Sequence, residues 1–203
     1  MIGNDIVDLN LAKTQSNWQR KGFLDKVFTK KEQKLISRAD DSFRMVWLLW
    51  SMKESAYKSY SRQNNIRFYG PRKFECEVNN LKGTVTINNT IYFTTSTISS
   101  NCIHTIATLN TKETITTDFF RLKSDDYLIQ HTTTHRYLKS AISNQYNIPI
   151  TQLKIEKDNT GVPHIKYLCA ISSLSASLKT GSVEKSSISI SHHGYYGAYS
   201  FIQ

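Results

Sequence analysis

The fold and the chemistry of this chain are best read from residues 50–58, WSMKESAYK. In a helix, Trp50, Glu54 and Lys58 fall at i, i+4 and i+8, so an aromatic ring, a carboxylate and an ammonium lie on one face. Upstream, Asp5 leaves an apolar stretch that reads as a buried strand, and a carboxylate there can meet Glu54 around a cation. Mg²⁺ takes one or two carboxylates and completes its octahedron with water and substrate phosphate. The pattern therefore predicts a phosphate-handling site.

The bulk composition sets the class of protein. With 203 residues the chain can bury a core, as one large domain or as two small ones in close contact. No apolar run is long enough for a membrane span, and the first residues lack the pattern of a secretory signal. Cys76, Cys102 and Cys169 are widely spaced and support neither a disulfide framework nor a zinc site, so we expect a cytoplasmic protein.

The formal net charge of +10 favours an anionic partner. Nucleic acid, anionic lipid, a phosphorylated small molecule and an acidic protein all fit that charge. The basic residues are scattered and do not form the short dense run that marks a nucleic-acid patch. Charge alone therefore does not choose among these partners.

Hydrophobic periodicity predicts a first half that ends in a sheet. We predict a strand over residues 2–9, a helix that begins after Thr29 with Glu32 completing a capping box, and a longer helix over residues 41–60. Strands follow over residues 73–78, 83–87, 91–97 and 102–109. Residues 110–117 are polar and rich in threonine, which makes them the best candidate for a boundary.

The second half is predicted to begin with a helix that Ser124 caps and that ends near Tyr146, before Pro149. Further elements are expected in chain order: strands over residues 152–156 and 164–167, a helix over 170–178, and a closing hairpin of 186–191 and 195–202 that turns at His193 and Gly194. Each half thus has helices and strands in similar arrangement.

Residues 3–6, GNDI, and residues 50–58, WSMKESAYK, together resemble the signature of the 4′-phosphopantetheinyl transferases. These enzymes move the phosphopantetheine arm of coenzyme A onto a serine of a carrier protein. The family signature combines G-x-D-I/V with W/F-x-x-K-E-[SA]-x-x-K, and both are present, at residues 3–6 and 50–58. A small residue followed by histidine, closing a strand, matches Ser191-His192. The family's G-K-P element is Gly161-Val162-Pro163 here, with valine in place of lysine.

The order of these motifs implies an unusual arrangement. The resemblance implies an α+β fold of two similar α+β halves, a pseudo-dimer in circularly permuted order. Residues 1–112 are similar to the C-terminal half of the two-half enzymes, and residues 113–203 to their N-terminal half. The motif order is that of the small trimeric holo-acyl-carrier-protein synthases. We expect a monomer whose ends lie close together, with the strands at residues 2–9 and 195–202 paired in one sheet.

The resemblance also implies roles for single residues. Asp5 and Glu54 would bind Mg²⁺, and Glu54 or a metal-bound water would accept the proton of the carrier serine. Lys58 would neutralise charge on the leaving 3′,5′-ADP. The coenzyme A contacts would come from residues of both halves: Lys58, Gly161, Val162, Pro163, Ser191 and His192.

Several positions leave alternatives open. Val7 stands where the two-half enzymes carry a second metal-binding acid, and Asp8 is either a replacement ligand or a surface acid. The contact of the missing lysine at Val162 is lost or is supplied by another residue, such as Lys166 or His164. Other residues have a purely structural interpretation beside the functional one. That interpretation makes His193 a turn residue and Lys53 an exposed lysine. It also makes a solvated basic helix face of His131, His135, Arg136 and Lys139.

The sequence is compatible with three candidate functions. The leading one is a cytoplasmic, Mg²⁺-dependent transferase that uses coenzyme A, acts on an acidic acyl or peptidyl carrier protein and binds neither nucleic acid nor membrane. A second is a homologue that has lost catalysis and only binds carrier proteins. A third, less favoured, is a basic nucleic-acid-binding protein or a metal-dependent nuclease, which would need clustered acids and a basic stripe.

Overall fold

The computed structural model describes residues 1–67, 70–158, 161–169, 179–182 and 187–203. They form an α+β protein, as the sequence predicts. The elements follow in chain order: β1 (Ile2–Asp8), α1 (Leu9–Gln15), α2 (Phe23–Val27), α3 (Lys30–Arg38), α4 (Ser42–Asn64), β2 (Glu75–Asn79), β3 (Lys82–Ile87), β4 (Thr90–Ile98), β5 (Cys102–Thr108), β6 (Ile115–Arg121), α5 (Tyr127–Tyr146), β7 (Leu153–Lys157), β8 (Pro163–Cys169), β9 (Lys179–Ser182), β10 (Ile188–His193) and β11 (Tyr196–Ile202).

The strands of the described residues form three antiparallel sheets. The first has the order β1-β5-β4-β3-β2, the second β10-β11-β6 and the third β7-β8-β9. α4 packs on the first sheet, where its buried residues Val46, Leu49 and Met52 share one core with Val85 and Ile103. Among the described residues, no helix combines the length and the apolar character needed to cross a membrane.

α3 and α4 are held together by a buried ion pair. Thr29 caps α3, and Glu32 completes the predicted capping box by accepting from the Thr29 amide. The other carboxylate oxygen of Glu32 lies 2.8 Å from Lys53 Nζ, and both side chains are fully buried. Lys53 also donates to the carbonyls of Pro71 and Phe74. The reading of Lys53 as an exposed lysine is therefore wrong.

β1 crosses α4 at a very short distance, and this explains the glycine at position 3. A Cβ at Gly3 would collide with the Ser55 carbonyl oxygen and approach the Ser59 amide nitrogen. Only glycine allows this approach without moving the helix. The contact sets Asp5, two residues further along β1, beside α4.

β1 and β10 lie side by side but are joined through side chains. The amides of Ile2 and Asn4 donate to the hydroxyls of Ser187 and Ser189 at 3.0 and 2.9 Å. From α4, the buried guanidinium of Arg62 donates to the carbonyls of both strands, at Ile2 and at Ile188. Burial lowers the pKa of Arg62 to about 10.

The two chain ends meet at the connection between β5 and β6. The Met1 amino group lies 3.6 Å from Glu113 Oε1, and the Gln203 amide donates to the Thr114 carbonyl at 2.9 Å. The ends are therefore close, as expected. The expected pairing of β1 with β11 in one sheet is wrong, because β11 lies between β10 and β6 in the second sheet.

Two further predictions need correction. The stretch 110–117 is not wholly a boundary, since β6 begins at Ile115 and pairs with β11. α5 is capped by Asp126, whose side chain accepts from the Ile129 amide, and not by Ser124, which accepts from the Asp126 amide. The helix predicted over residues 170–178 lies outside the described residues.

Candidate active site

Two adjacent cavities contain most of the residues that the sequence singled out. The first measures about 330 Å³ and the second about 340 Å³. Asp5 and His192 line both, so the cavities meet where β1 and β10 run side by side. Residues from the N-terminal strand β1 and from the C-terminal strand β10 therefore line one site.

Asp5 is held by Lys58 at the wall of the first cavity. Lys58 Nζ donates to Asp5 Oδ1 at 3.1 Å and to the Asn4 carbonyl oxygen at 2.7 Å. The pair is largely buried, with 13% of the Asp5 side chain and 27% of the Lys58 side chain exposed. The ammonium therefore brings positive charge to the cavity while it fixes the carboxylate.

Glu54 and Trp50 line the second cavity, and Lys58 lines the first. Because these residues lie at i+4, i and i+8 of α4, the predicted shared face turns toward the site. Glu54 lines the same cavity as Asp5, so two carboxylates contribute to its wall.

Asp5 and Glu54 are the carboxylates in this lining that a divalent cation could use. Within the described ranges, no three His, Cys, Asp or Glu side chains converge into a cluster that could hold a metal. Mg²⁺ does not need one, since it binds through one or two carboxylates when phosphate and water supply the remaining oxygens. Asp5 and Glu54 therefore fit Mg²⁺ in the presence of a phosphate ligand.

The loop before β8 forms another wall of the first cavity through Gly161 and Pro163. Val162 is not part of this lining. Its amide donates to Asp158 Oδ1 and its carbonyl accepts from the Asp158 amide, each at 3.0 Å, which closes the turn. Of the three predicted coenzyme A contacts here, the structure brings two to the cavity.

A lysine that the sequence did not single out lines the same wall. Lys157 ends β7, pairs in register with Pro163 and lines the first cavity with Gly161. Lys166 and His164 are instead engaged with Glu156, with Lys166 Nζ 2.7 Å from Glu156 Oε2. The expectation that Lys166 or His164 replaces the lysine missing at Val162 is not supported, and Lys157 is better placed. The sequence pattern does not single out Lys157, because its place at the cavity depends on the register of β7 with β8.

The strand that carries Ser191 and His192 reaches both cavities. Ser191 lines the first cavity, and its hydroxyl is buried without a hydrogen-bond partner among the described residues. His192 lines both cavities, whereas His193 Nδ1 accepts from the Asp8 amide at 2.9 Å. His193 thus has a structural contact, and His192 remains the better candidate for ligand binding.

Aromatic and imidazole rings surround His192 at the mouth of the first cavity. Tyr127 lies edge-on to His192, with ring centroids 5.4 Å apart, and His131 lies against His135 at 3.9 Å. Burial and neighbouring positive groups, with His131 first among them, lower the pKa of His135 to about 4. The pKa of His192 is also lowered, first by burial and then by the positive charges of His131 and Lys58. His135 and His192 are therefore mainly uncharged near neutral pH, and the positive charge in the lining of this cavity comes from Lys58 and Lys157.

Asp8 is a buried residue at the end of β1. It is 3% exposed, and Oδ1 accepts from the Asn10 and Leu11 amides as the cap of α1. Oδ2 accepts from the Tyr195 amide at 3.0 Å. A side chain at Gly194, where φ is +56°, would collide with this carboxylate. Asp8 therefore fastens α1 to the β10–β11 turn. The interpretation of Asp8 as a surface acid is wrong, and its role as a replacement metal ligand stays a prediction.

Comparison with known proteins gives one family match. The family model described as the 4′-phosphopantetheinyl transferase superfamily matches residues 1–118, more than half of the chain. Among solved structures, the chain is similar to the crystal structure of Thermotoga maritima holo-[acyl-carrier-protein] synthase, with 10% identity, a TM-score of 0.43 and coverage of 79% of each chain. No curated protein matches the chain.

Proposed function

Because the chain belongs to the 4′-phosphopantetheinyl transferase superfamily, we propose that it transfers the 4′-phosphopantetheine group of coenzyme A to a serine of an apo acyl or peptidyl carrier protein. The reaction needs Mg²⁺ and releases 3′,5′-ADP. The observation that carries the proposal is the meeting of the two cavities at Asp5 and His192. A pyrophosphate at this junction would contact residues from both ends of the chain.

Glu54 is the base of the proposed reaction. Its carboxylate accepts the proton of the carrier serine, and the serine oxygen forms a bond to the β-phosphorus of coenzyme A. The bond from that phosphorus to the bridging oxygen breaks, and 3′,5′-ADP leaves with the bond electrons. General-base help of this kind contributes about 10²–10⁴-fold to the rate.

Lys58 and Asp5 prepare the junction for the developing charge. Lys58, fixed by the Asn4 carbonyl and by Asp5, places an ammonium beside the leaving phosphate. Asp5 and Glu54 would hold the Mg²⁺, which when bound neutralises charge on the pyrophosphate. Fixed charges in a partly buried site act without reorganisation during the reaction.

The first cavity receives the nucleotide part of coenzyme A. Gly161, Pro163 and Ser191 form its walls, and Lys157 supplies the ammonium that the valine at position 162 does not. His131 and His135 on α5 contribute further polar groups to the same cavity. These contacts would bind the phosphates of 3′,5′-ADP, which stand on the 3′ and 5′ oxygens of its ribose.

The arrangement of the chain follows the same proposal. Residues 1–112 and 113–203 are the two halves of a circularly permuted pseudo-dimer that works as a monomer. The meeting of Met1 with Glu113 and of Gln203 with Thr114 supports this, since closely spaced ends are what a permutation requires. We place the protein in the cytoplasm, where an acidic carrier protein would be attracted by the net charge of +10.

Mass spectrometry of the carrier tests the function. The protein is incubated with coenzyme A, Mg²⁺ and a set of apo carrier proteins, and the carriers are weighed. We expect one carrier to gain a single phosphopantetheine, and the gain to disappear with a chelator or with Glu54→Gln. Binding of the unmodified carriers without transfer would instead support a homologue that has lost catalysis.

A further inference from the structure

The chain that leaves α4 is fixed against the last turn of that helix. Asn65 ends α4 with a positive φ of 54°, a conformation that asparagine adopts more readily than most residues. The Ile66 amide donates to the Ser61 carbonyl at 3.2 Å, and the Ser61 hydroxyl donates back to the Ile66 carbonyl. Arg67 follows directly, so its backbone starts from a point that the helix holds.

The Arg67 guanidinium lies against the turn between β7 and β8. At Gly161, where φ is +77°, an added Cβ would collide with Arg67 Nη2. The positive φ favours glycine at this position in its own right. Gly161 lines the first cavity, whereas Arg67 is not part of that lining. The guanidinium therefore packs on the cavity wall and reaches the cavity only through Gly161.

A second arginine of α4 faces the same turn. Burial lowers the pKa of Arg62, and the Asp158 carboxylate acts in the opposite direction, because the two opposite charges attract. Asp158 closes the turn through its hydrogen bonds with Val162, and its carbonyl accepts from the Gly161 amide at 2.8 Å. The end of α4 thus presents positive charge to this turn from two residues.

From these contacts we propose that Arg67 is a positioning residue for the nucleotide: packed on Gly161, its guanidinium holds the cavity wall that faces 3′,5′-ADP. The inference rests on the proposed function. α4 then serves the site twice, because Glu54 and Lys58 lie within the helix and Arg67 follows its end. Arg67 acts on the affinity for the nucleotide and takes no part in the chemical step.

Arg67→Gln separates affinity from chemistry. Removing the guanidinium should weaken 3′,5′-ADP about three- to tenfold, a loss on the scale of one hydrogen bond. The KM for coenzyme A should rise by a similar factor, while kcat and the KM for the carrier protein keep their parent values. Arg72→Gln is the matched control, because Arg72 is exposed and lines neither cavity.

Three measurements give these quantities. Calorimetric titration gives the affinity of each protein for 3′,5′-ADP, and steady-state kinetics with a carrier protein gives kcat and both KM values. Thermal unfolding shows that each variant is folded.

A double-mutant cycle with Gly161→Ala tests the contact itself. Alone, Gly161→Ala should weaken 3′,5′-ADP, because the added methyl group collides with Arg67 and the backbone conformation is strained. In the Arg67→Gln background the collision is relieved, so Gly161→Ala should cost less affinity there than in the parent. Substitutions of residues in contact are expected to be non-additive in this way.

An unchanged 3′,5′-ADP affinity in the folded Arg67→Gln variant would overturn the inference. The same holds if the two losses simply multiply in the double variant, because Arg67 would then act independently of Gly161. A lower kcat with an unchanged KM for coenzyme A would assign Arg67 to the chemical step and overturn it too. If the parent protein binds neither coenzyme A nor 3′,5′-ADP, the proposed function itself fails.

Discussion

Lys58 Nζ lies 3.1 Å from Asp5 Oδ1, so one ion pair ties α4 to β1 at the junction of the two cavities. The same ammonium donates to the Asn4 carbonyl, which fixes it against the strand. The pair places a carboxylate and an ammonium side by side at this junction. Its position links the fold, through the short approach of β1 to α4, to the proposed chemistry.

Lys58→Met tests the charge at this junction. Removing a preorganised positive group should lower kcat about 10²-fold, because in the proposed reaction this ammonium offsets charge on the leaving phosphate. Lys30→Met is the matched control, since Lys30 forms an exposed ion pair with Asp25 and neither residue lines either cavity. Steady-state kinetics with a carrier protein gives both values. A Lys58→Met protein with the parent kcat would contradict the role of Lys58.

The buried pair of Glu32 and Lys53 predicts a large effect on stability. Lys53→Met leaves the Glu32 carboxylate buried without its counter-charge and should lower the free energy of unfolding by about 3–5 kcal/mol. The double variant Lys53→Met/Glu32→Gln should recover much of this loss, because no charge remains buried. Urea denaturation measures each value.

Lys31→Met provides the comparison for that pair. Lys31 forms an ion pair of nearly the same length with Glu75, but its side chain is exposed. Exposed ion pairs contribute less than about 1 kcal/mol, so this variant should be close to the parent. Equal losses for Lys31→Met and Lys53→Met would show that burial does not govern the effect.

The serine contacts between β1 and β10 give a third prediction. Ser189→Ala leaves the Asn4 amide buried without an acceptor and should cost about 1–3 kcal/mol of unfolding free energy. Ser200 is equally buried, but its hydroxyl has no hydrogen-bond partner in the described part of the chain. Ser200→Ala should therefore be neutral or stabilising. Chemical denaturation of the two variants would refute the prediction if their order were reversed.

His104 predicts how stability depends on pH. It is buried beside Asn4, and burial, followed by the charge of Lys58, lowers the pKa of His104 to about 4. Between pH 6.5 and pH 4 the unfolded chain holds a proton that the folded chain does not, so stability falls as the pH falls through this window. The loss from His104 is on the order of 3 kcal/mol.

His104→Gln should flatten this dependence. The free energy of unfolding, measured at several values between pH 4 and pH 7, should fall less steeply for the variant than for the parent. His164→Gln is the control, because His164 lies exposed on β8. If the two variants lose stability with the same slope, His104 is not the source of the dependence.

Local signals explain what could be predicted from the sequence. Thr29 and Glu32 form the predicted capping box because both partners lie within one turn. Asn88 and Asn89 form the predicted turn between β3 and β4, where both adopt a positive φ that asparagine tolerates. Asp5, Glu54 and Lys58 reach the site because their spacing on β1 and α4 fixes which faces they occupy.

The features missed from the sequence depend on distant partners. Lys53 is buried because Glu32, on another helix, provides its counter-charge. The Asp8 carboxylate accepts a hydrogen bond from the amide of Tyr195, which is far along the chain. The polar sequence around β6 indicates a connection, and its pairing with β11 is what makes it a strand. Lys157 reaches the cavity through the register of β7 with β8.

A crystal structure of the protein with coenzyme A and Mn²⁺, with Mn²⁺ as the anomalous scatterer in place of Mg²⁺, tests the central claim most directly. We expect one anomalous peak bonded to carboxylate oxygens of Asp5 and Glu54 and to the pyrophosphate, with His192 beside the bound phosphates. A metal bound elsewhere, or a coenzyme A that contacts only one half of the chain, would contradict the account.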